Sequence, residues 1–184
     1  MKTWINFIAF QLVWFAAVGG AAYGIWWAGP AAFLAFAAYH RRPDVRLRGD
    51  FGLMWLALVL GFATDTLMAA AGLSQYAAAV PAAPIAPLWI LSLWAGFALT
   101  LNHSMRWLTE RPLLIVPLAT IVGPTTYFVA ARAWGAVTII APVEIALGVL
   151  GLCWFVSMLV MSLAARRFGR VPDDSLPLPL MRAP

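Results

Sequence analysis

The sequence is poor in charge and almost devoid of cysteine. Of its 184 residues only 10% are charged, against about 25% in an average soluble domain. Acidic residues number seven, and two of them, Asp173 and Asp174, stand near the C-terminus. The one cysteine, Cys153, excludes an intrachain disulfide. The two histidines, His40 and His103, offer no His/Cys cluster with metal-ligand spacing, so no metal is expected. There is no Gly-x-Ser-x-Gly elbow and no phosphate-binding Gly-rich loop, and no cofactor is expected. A chain that is 64% hydrophobic cannot bury that much apolar surface in water. These deficits exclude a disordered protein, a nucleic-acid module and a cytosolic enzyme. The net charge of +5 is set by arginines at the edges of apolar runs, where topology accounts for them.

What is present is apolar sequence in long runs. A helix needs about 20 residues to cross a bilayer. Runs fall at residues 4–20, 21–39, 51–73, 87–107, 112–131 and 137–164. They are continuously apolar and do not alternate, which predicts helices and not a barrel. The expected fold is an all-α, polytopic transmembrane bundle of six spans over residues 1–165, followed by a disordered cytoplasmic tail, 166–184, with four prolines. Residues 4–40 are tight for two crossings. The alternative is five spans, with one long first helix and a re-entrant half-helix.

Basic residues in short loops stay cytoplasmic. Six crossings place Lys2, Arg41, Arg42, Arg46, Arg48, Arg106, Arg111, Arg166, Arg167, Arg170 and Arg182 on one side and Arg132 alone on the other. Both termini are then expected inside, in the inner membrane. Asn6, Gln11, Trp4 and Trp14 make the first run better suited to a retained helix than to a cleaved signal. Of the ten tryptophans, Trp26, Trp27, Trp89 and Trp134 are expected at the outer edge and Trp4, Trp55 and Trp107 at the inner one. Trp14, Trp94 and Trp154 are expected to pack between helices.

Several segments stand out together: Asn6-Phe7 with Phe10-Gln11 and Trp14-Phe15; Gly61 with Asp65 and Leu67; Pro87-Leu88-Trp89 and Leu93-Trp94; the run from Phe97 through Thr100-Leu101-Asn102-His103-Ser104 to Trp107-Leu108; Gly123-Pro124 with Tyr127; and Gly135-Ala136-Val137. In these the chain resembles the bacterial inner-membrane family designated domain of unknown function 2878, over roughly residues 4–165. The resemblance implies a small polytopic inner-membrane protein and no assigned activity.

Ionisable groups inside a span are costly and usually face the bundle interior. Asp65 and Glu144 each lie about seven residues, or ~10 Å, from an outer helix end. With Arg132 and Tyr127 they form an expected outer polar layer, read either as a binding or proton-handling site or as a structural network. An inner layer is expected from Asn6, Gln11, Thr100, Asn102, His103 and Trp107. There His103 is either a titrating group or a hydrogen bond to a neighbouring helix, Gln11 being the candidate partner. Pro124 should bend the fifth helix by removing the bond to the Thr120 carbonyl.

Three functions follow. The first is a lipid-related binding or accessory protein, with membrane lipids and a lipid-modifying enzyme as partners. The second is a small proton-coupled transporter, and the third a membrane-embedded enzyme acting on acyl lipids. A lateral slot of lipid width ending at His103 would favour the first or the third; a water-filled cavity reaching both polar layers would favour the second.

Overall fold

The structure, a computed structural model, describes residues 2–168. Of the expected tail, 166–184, Arg166 and Arg167 instead continue the last helix, and residues 169–184 lie outside the described residues. Seven helices and two short strands follow in order: α1 (Lys2–Ala22), α2 (Ala28–His40), α3 (Asp50–Ala70), β1 (Ser74–Tyr76), α4 (Leu88–Leu101), α5 (Arg106–Thr109), α6 (Pro112–Val129), β2 (Val137–Ile139) and α7 (Val143–Arg167). Between α6 and β2, Ala130–Trp134 form one π-helical turn, closed by Gly135 in the left-handed conformation.

Four segments are long and apolar enough to cross a membrane: Thr3–Ala22, Asp50–Ala70, Pro112–Trp134 and Val143–Arg167. Helices α2 and α4, at 13 and 14 residues, rise only about 20 Å each. They nevertheless run antiparallel to their neighbours. His40, at the end of α2, bonds Asn6 near the start of α1. Asn102, just past α4, bonds Asp50 at the start of α3. The first helix stops at Ala22 because Tyr23–Trp27 make a turn around Gly24, whose φ of +78° suits a residue without a side chain. The long first helix of the alternative reading, running on to Trp27, is therefore not formed.

Helix α4 is central. It packs against α1, α2 and α3, and ten of its residues are buried. The outward faces carry large apolar side chains such as Leu113, Ile121 and Leu152, which are 91%, 68% and 64% exposed. A lipid environment accepts such a surface where water would not. Three expectations need correction here. The fourth helix ends at Leu101, so Asn102, His103 and Ser104 sit in a turn and not inside a continuous span. Residues 137–139 are a strand that pairs antiparallel with β1, Tyr76 opposite Val137, because the loop before α4 folds down over the bundle end. Trp89 is not a belt anchor: it is 1% exposed and donates its Nε1–H to the Ala77 carbonyl of that loop at 2.9 Å.

The bundle is locked at mid-depth by two tryptophans between two glycines. Trp94 of α4 stacks on Trp154 of α7, with ring centroids 4.6 Å apart and planes 22° from parallel. Gly61 of α3 backs Trp94, and Gly123 of α6 backs Trp154; a Cβ at either glycine would lie 2.3 Å from the indole. Any side chain there must push the stack apart, at a cost of about 1–3 kcal/mol. Gly61→Ala and Gly123→Ala should each lower the thermal midpoint of the detergent-solubilised protein. Gly148→Ala, where nothing lies within 4 Å of the new Cβ, should leave it unchanged.

Candidate functional site

Two buried polar networks and one apolar groove make up the interior. The outer network centres on Asp65, 0% exposed in the last third of α3. Its Oδ1 accepts the hydroxyl of Tyr76 at 2.7 Å and that of Tyr127 at 2.9 Å. Its Oδ2 accepts the Trp94 Nε1–H at 2.8 Å, and Tyr127 again at 3.1 Å. Three neutral donors from β1, α4 and α6 thus satisfy the carboxylate without a counter-cation. Tyr76 lies in the loop between α3 and α4, where burial, then the nearby Asp65, pushes its hydroxyl well above the ordinary range and keeps it a donor.

The four residues of the expected outer layer do not stand together. The structure brings Asp65 and Tyr127 together but leaves Arg132 and Glu144 on the exposed surface. Arg132 lies over the Phe128 ring, at the exposed helix end where a guanidinium keeps its hydration. Glu144, in the first turn of α7, is favoured there by the helix N-terminus. Aromatic donors do the work that an arginine was expected to do.

The inner network runs through Asn6, His40, Asp50, Asn102, His103 and Ser104. Asn6, 1% exposed, is its pivot. Its Nδ2 donates to the Leu99 carbonyl at 3.2 Å and to His40 Nε2 at 2.9 Å. A carbonyl only accepts, so this fixes the amide orientation. The Asn6 Oδ1 then accepts from the Ser104 N–H at 3.2 Å and the Ser104 hydroxyl at 2.5 Å. His40 Nδ1 donates to the Phe36 carbonyl at 3.0 Å, which leaves Nε2 as the acceptor that Asn6 needs. His103 Nε2 lies 2.9 Å from Asp50 Oδ2, with the His40 ring edge-on at 4.9 Å. Asp50 also accepts from the Leu47 N–H at 2.9 Å and Asn102 Nδ2 at 3.1 Å. The Asn102 Oδ1 is buried without a partner.

Of the six residues expected in this layer, Asn6, Asn102 and His103 meet in the network. Thr100 and Gln11 instead line the groove described next, and Trp107 is 60% exposed. Sequence reasoning missed Asp50 and His40, the actual neighbours of His103. Both stand at the ends of the Arg41–Arg48 loop and read as edge residues. The signal was their position: each stands directly beside the apolar run whose end it closes.

The groove opens sideways between α1 and α6, with α4 and Trp154 as its floor. It encloses about 450 Å³, within the ~300–1,000 Å³ of small-molecule sites. Phe10, Trp14, Phe97, Leu118, Val122 and Trp154 are typical of its walls, and Thr100 and Ser104 mark its inner end. Neither Asp65 nor His103 lines it, but Tyr127 and Ser104 do. The Asp65 network thus reaches the groove through Tyr127 and Trp94, and the Asn6 network through Ser104. The carbonyl freed by Pro124 does not face it: the Thr120 oxygen lies against Gly151 of α7, 3.3 Å from where a Cβ would stand.

A bundle with four membrane-length helices, buried polar networks and an apolar exterior defines a polytopic membrane protein. The chain belongs to the family of proteins of unknown function designated DUF2878, whose model matches residues 3–160. No curated protein and no solved structure matches it.

Asp65→Leu should strand three donors inside the bundle, at about 1–3 kcal/mol for each unsatisfied group. It should sharply lower the thermal midpoint in detergent, whereas Glu144→Leu should change it little.

Proposed function

We propose that this protein is an inner-membrane lipid-binding or accessory protein that holds the hydrocarbon chain of a membrane lipid in its lateral groove. The groove itself supports this reading: it is open to the side, lined mostly by aromatic and aliphatic side chains, and of ligand size. The transport and acid–base readings lean on Asp65 and His103, and both lie behind the groove wall. The alternating helix directions support six crossings, with α2 and α4 as short spans. The one-sided arginines support termini on the cytoplasmic side of a bacterial inner membrane. A lipid-modifying enzyme is the partner that such a binding protein would serve, by presenting or withdrawing a lipid chain.

Native mass spectrometry tests the proposal. After exchange into a delipidating detergent, the protein should retain an adduct of lipid mass at one per chain. Val122, half exposed on the groove wall, gives the control: Val122→Trp should fill the groove and remove the adduct. Equal retention by both proteins, or none by the wild type, would contradict a groove-bound chain.

A further inference from the structure

The hydrogen-bonding state of the groove's inner end points to the lipid's head group. Two hydroxyls stand there, Thr100 and Ser104, and both have spent their protons. Thr100 Oγ1 donates to the Phe97 carbonyl at 2.6 Å. Ser104 Oγ donates to Asn6 Oδ1, which can only accept because the Asn6 amide hydrogens go to Leu99 and His40. Each hydroxyl can therefore offer the groove only its lone pairs. Further along the wall, the Thr126 and Tyr127 hydroxyls are committed in the same way, to the Gly123 carbonyl and to Asp65.

The donors left on the wall are few. Gln11, half-buried on α1 and lining the groove, makes no hydrogen bond with any described residue. An unpaired amide in a hydrocarbon environment is costly, so it too calls for a partner. The indoles of Trp14 and Trp154 are likewise unbonded, but the Trp154 N–H is shut off from the groove surface. No lysine, arginine or histidine lines the groove. An anionic head would meet spent hydroxyls and no cation, and would be stripped of water without compensation. A head that donates and carries no charge fits: it gives its proton to Thr100 or Ser104.

We infer that the groove's lipid is a neutral lipid alcohol, a long hydrocarbon chain ending in a free hydroxyl seated against Thr100 and Ser104. The inference rests on the proposal that the groove holds a chain. It assigns Asn6 a positioning role, since Asn6 sets the direction of the Ser104 proton. The inner network would then serve to fix the polarity of the site and not to react.

Quenching of the groove tryptophans by brominated ligands separates the two levels. The purified full chain in detergent is titrated with a brominated long-chain alcohol and with the alkane, carboxylate and phosphate monoester of the same chain. The alcohol should bind about threefold to tenfold tighter than the alkane, as one or two net hydrogen bonds allow, and tighter than either anion. The double variant Thr100→Val with Ser104→Ala should bring the alcohol down to the alkane's affinity and leave the alkane unchanged, which also shows that the groove is intact. An alcohol no tighter than the alkane, or an anion that binds best, would overturn the alcohol assignment while leaving a chain-binding groove. Failure of all four to quench would overturn the groove reading and the assignment with it. If the double variant does not fold, the wild-type ranking of the four head groups still decides.

Discussion

The stacked pair of Trp94 and Trp154, clasped by Gly61 and Gly123, is the contact on which the rest of the bundle depends. Lipid supplies no hydrophobic drive between helices, so close packing and hydrogen bonds must hold them. This one stack joins α3, α4, α7 and α6 in a single row. Its edge is also polar: the Trp94 N–H is one of the three donors that satisfy Asp65. Packing and electrostatics at mid-depth are thus set by the same side chain. With α6 drawn toward α7, and α1 held by α2 and α4, the space between α1 and α6 stays open. The groove is a consequence of where the stack places α6.

The two polar networks compensate for the two short helices. At about 20 Å each, α2 and α4 do not reach across ~30 Å of hydrocarbon by themselves. At the end that carries β1, the loop before α4 folds over the bundle, and Tyr76, Trp89 and Ala86 tie it to Asp65, Ala77 and Thr66. At the opposite end, Asn6, His40 and the turn after Leu101 bind each other, so backbone that leaves the helix early is still satisfied. Irregular backbone at membrane depth is tolerated only where protein covers it, and both networks lie where such backbone occurs.

Much of this was legible in the sequence. Continuous apolar runs give helices because each backbone group must be satisfied within its own segment. Asp65 is legible as an interior group because charge in a span is costly, whereas His103 lies in the turn after Leu101 and not in a span. Gly61 and Gly123 are legible only as small residues; that each backs a tryptophan depends on helix order, which hydropathy does not encode. Arg132 misled because an arginine is the usual partner for a buried carboxylate, whereas tyrosine and tryptophan donors read as belt or packing residues until their geometry is known. Asp50 and His40 were hidden by the arginine-rich loop between them. The strand pairing of residues 74–76 with 137–139 was hidden because Val137-Thr138-Ile139 at a span edge looks like more helix.

The most direct test of a groove-bound lipid chain is photo-crosslinking. Protein in native-lipid nanodiscs that carry a lipid with a diazirine on its chain is irradiated, digested and mapped by tandem mass spectrometry. Adducts concentrated on the groove face, at Phe10, Trp14, Leu118 and Val122, are the predicted result. Adducts spread evenly over outward residues such as Leu113 and Leu152, with no excess in the groove, would contradict it.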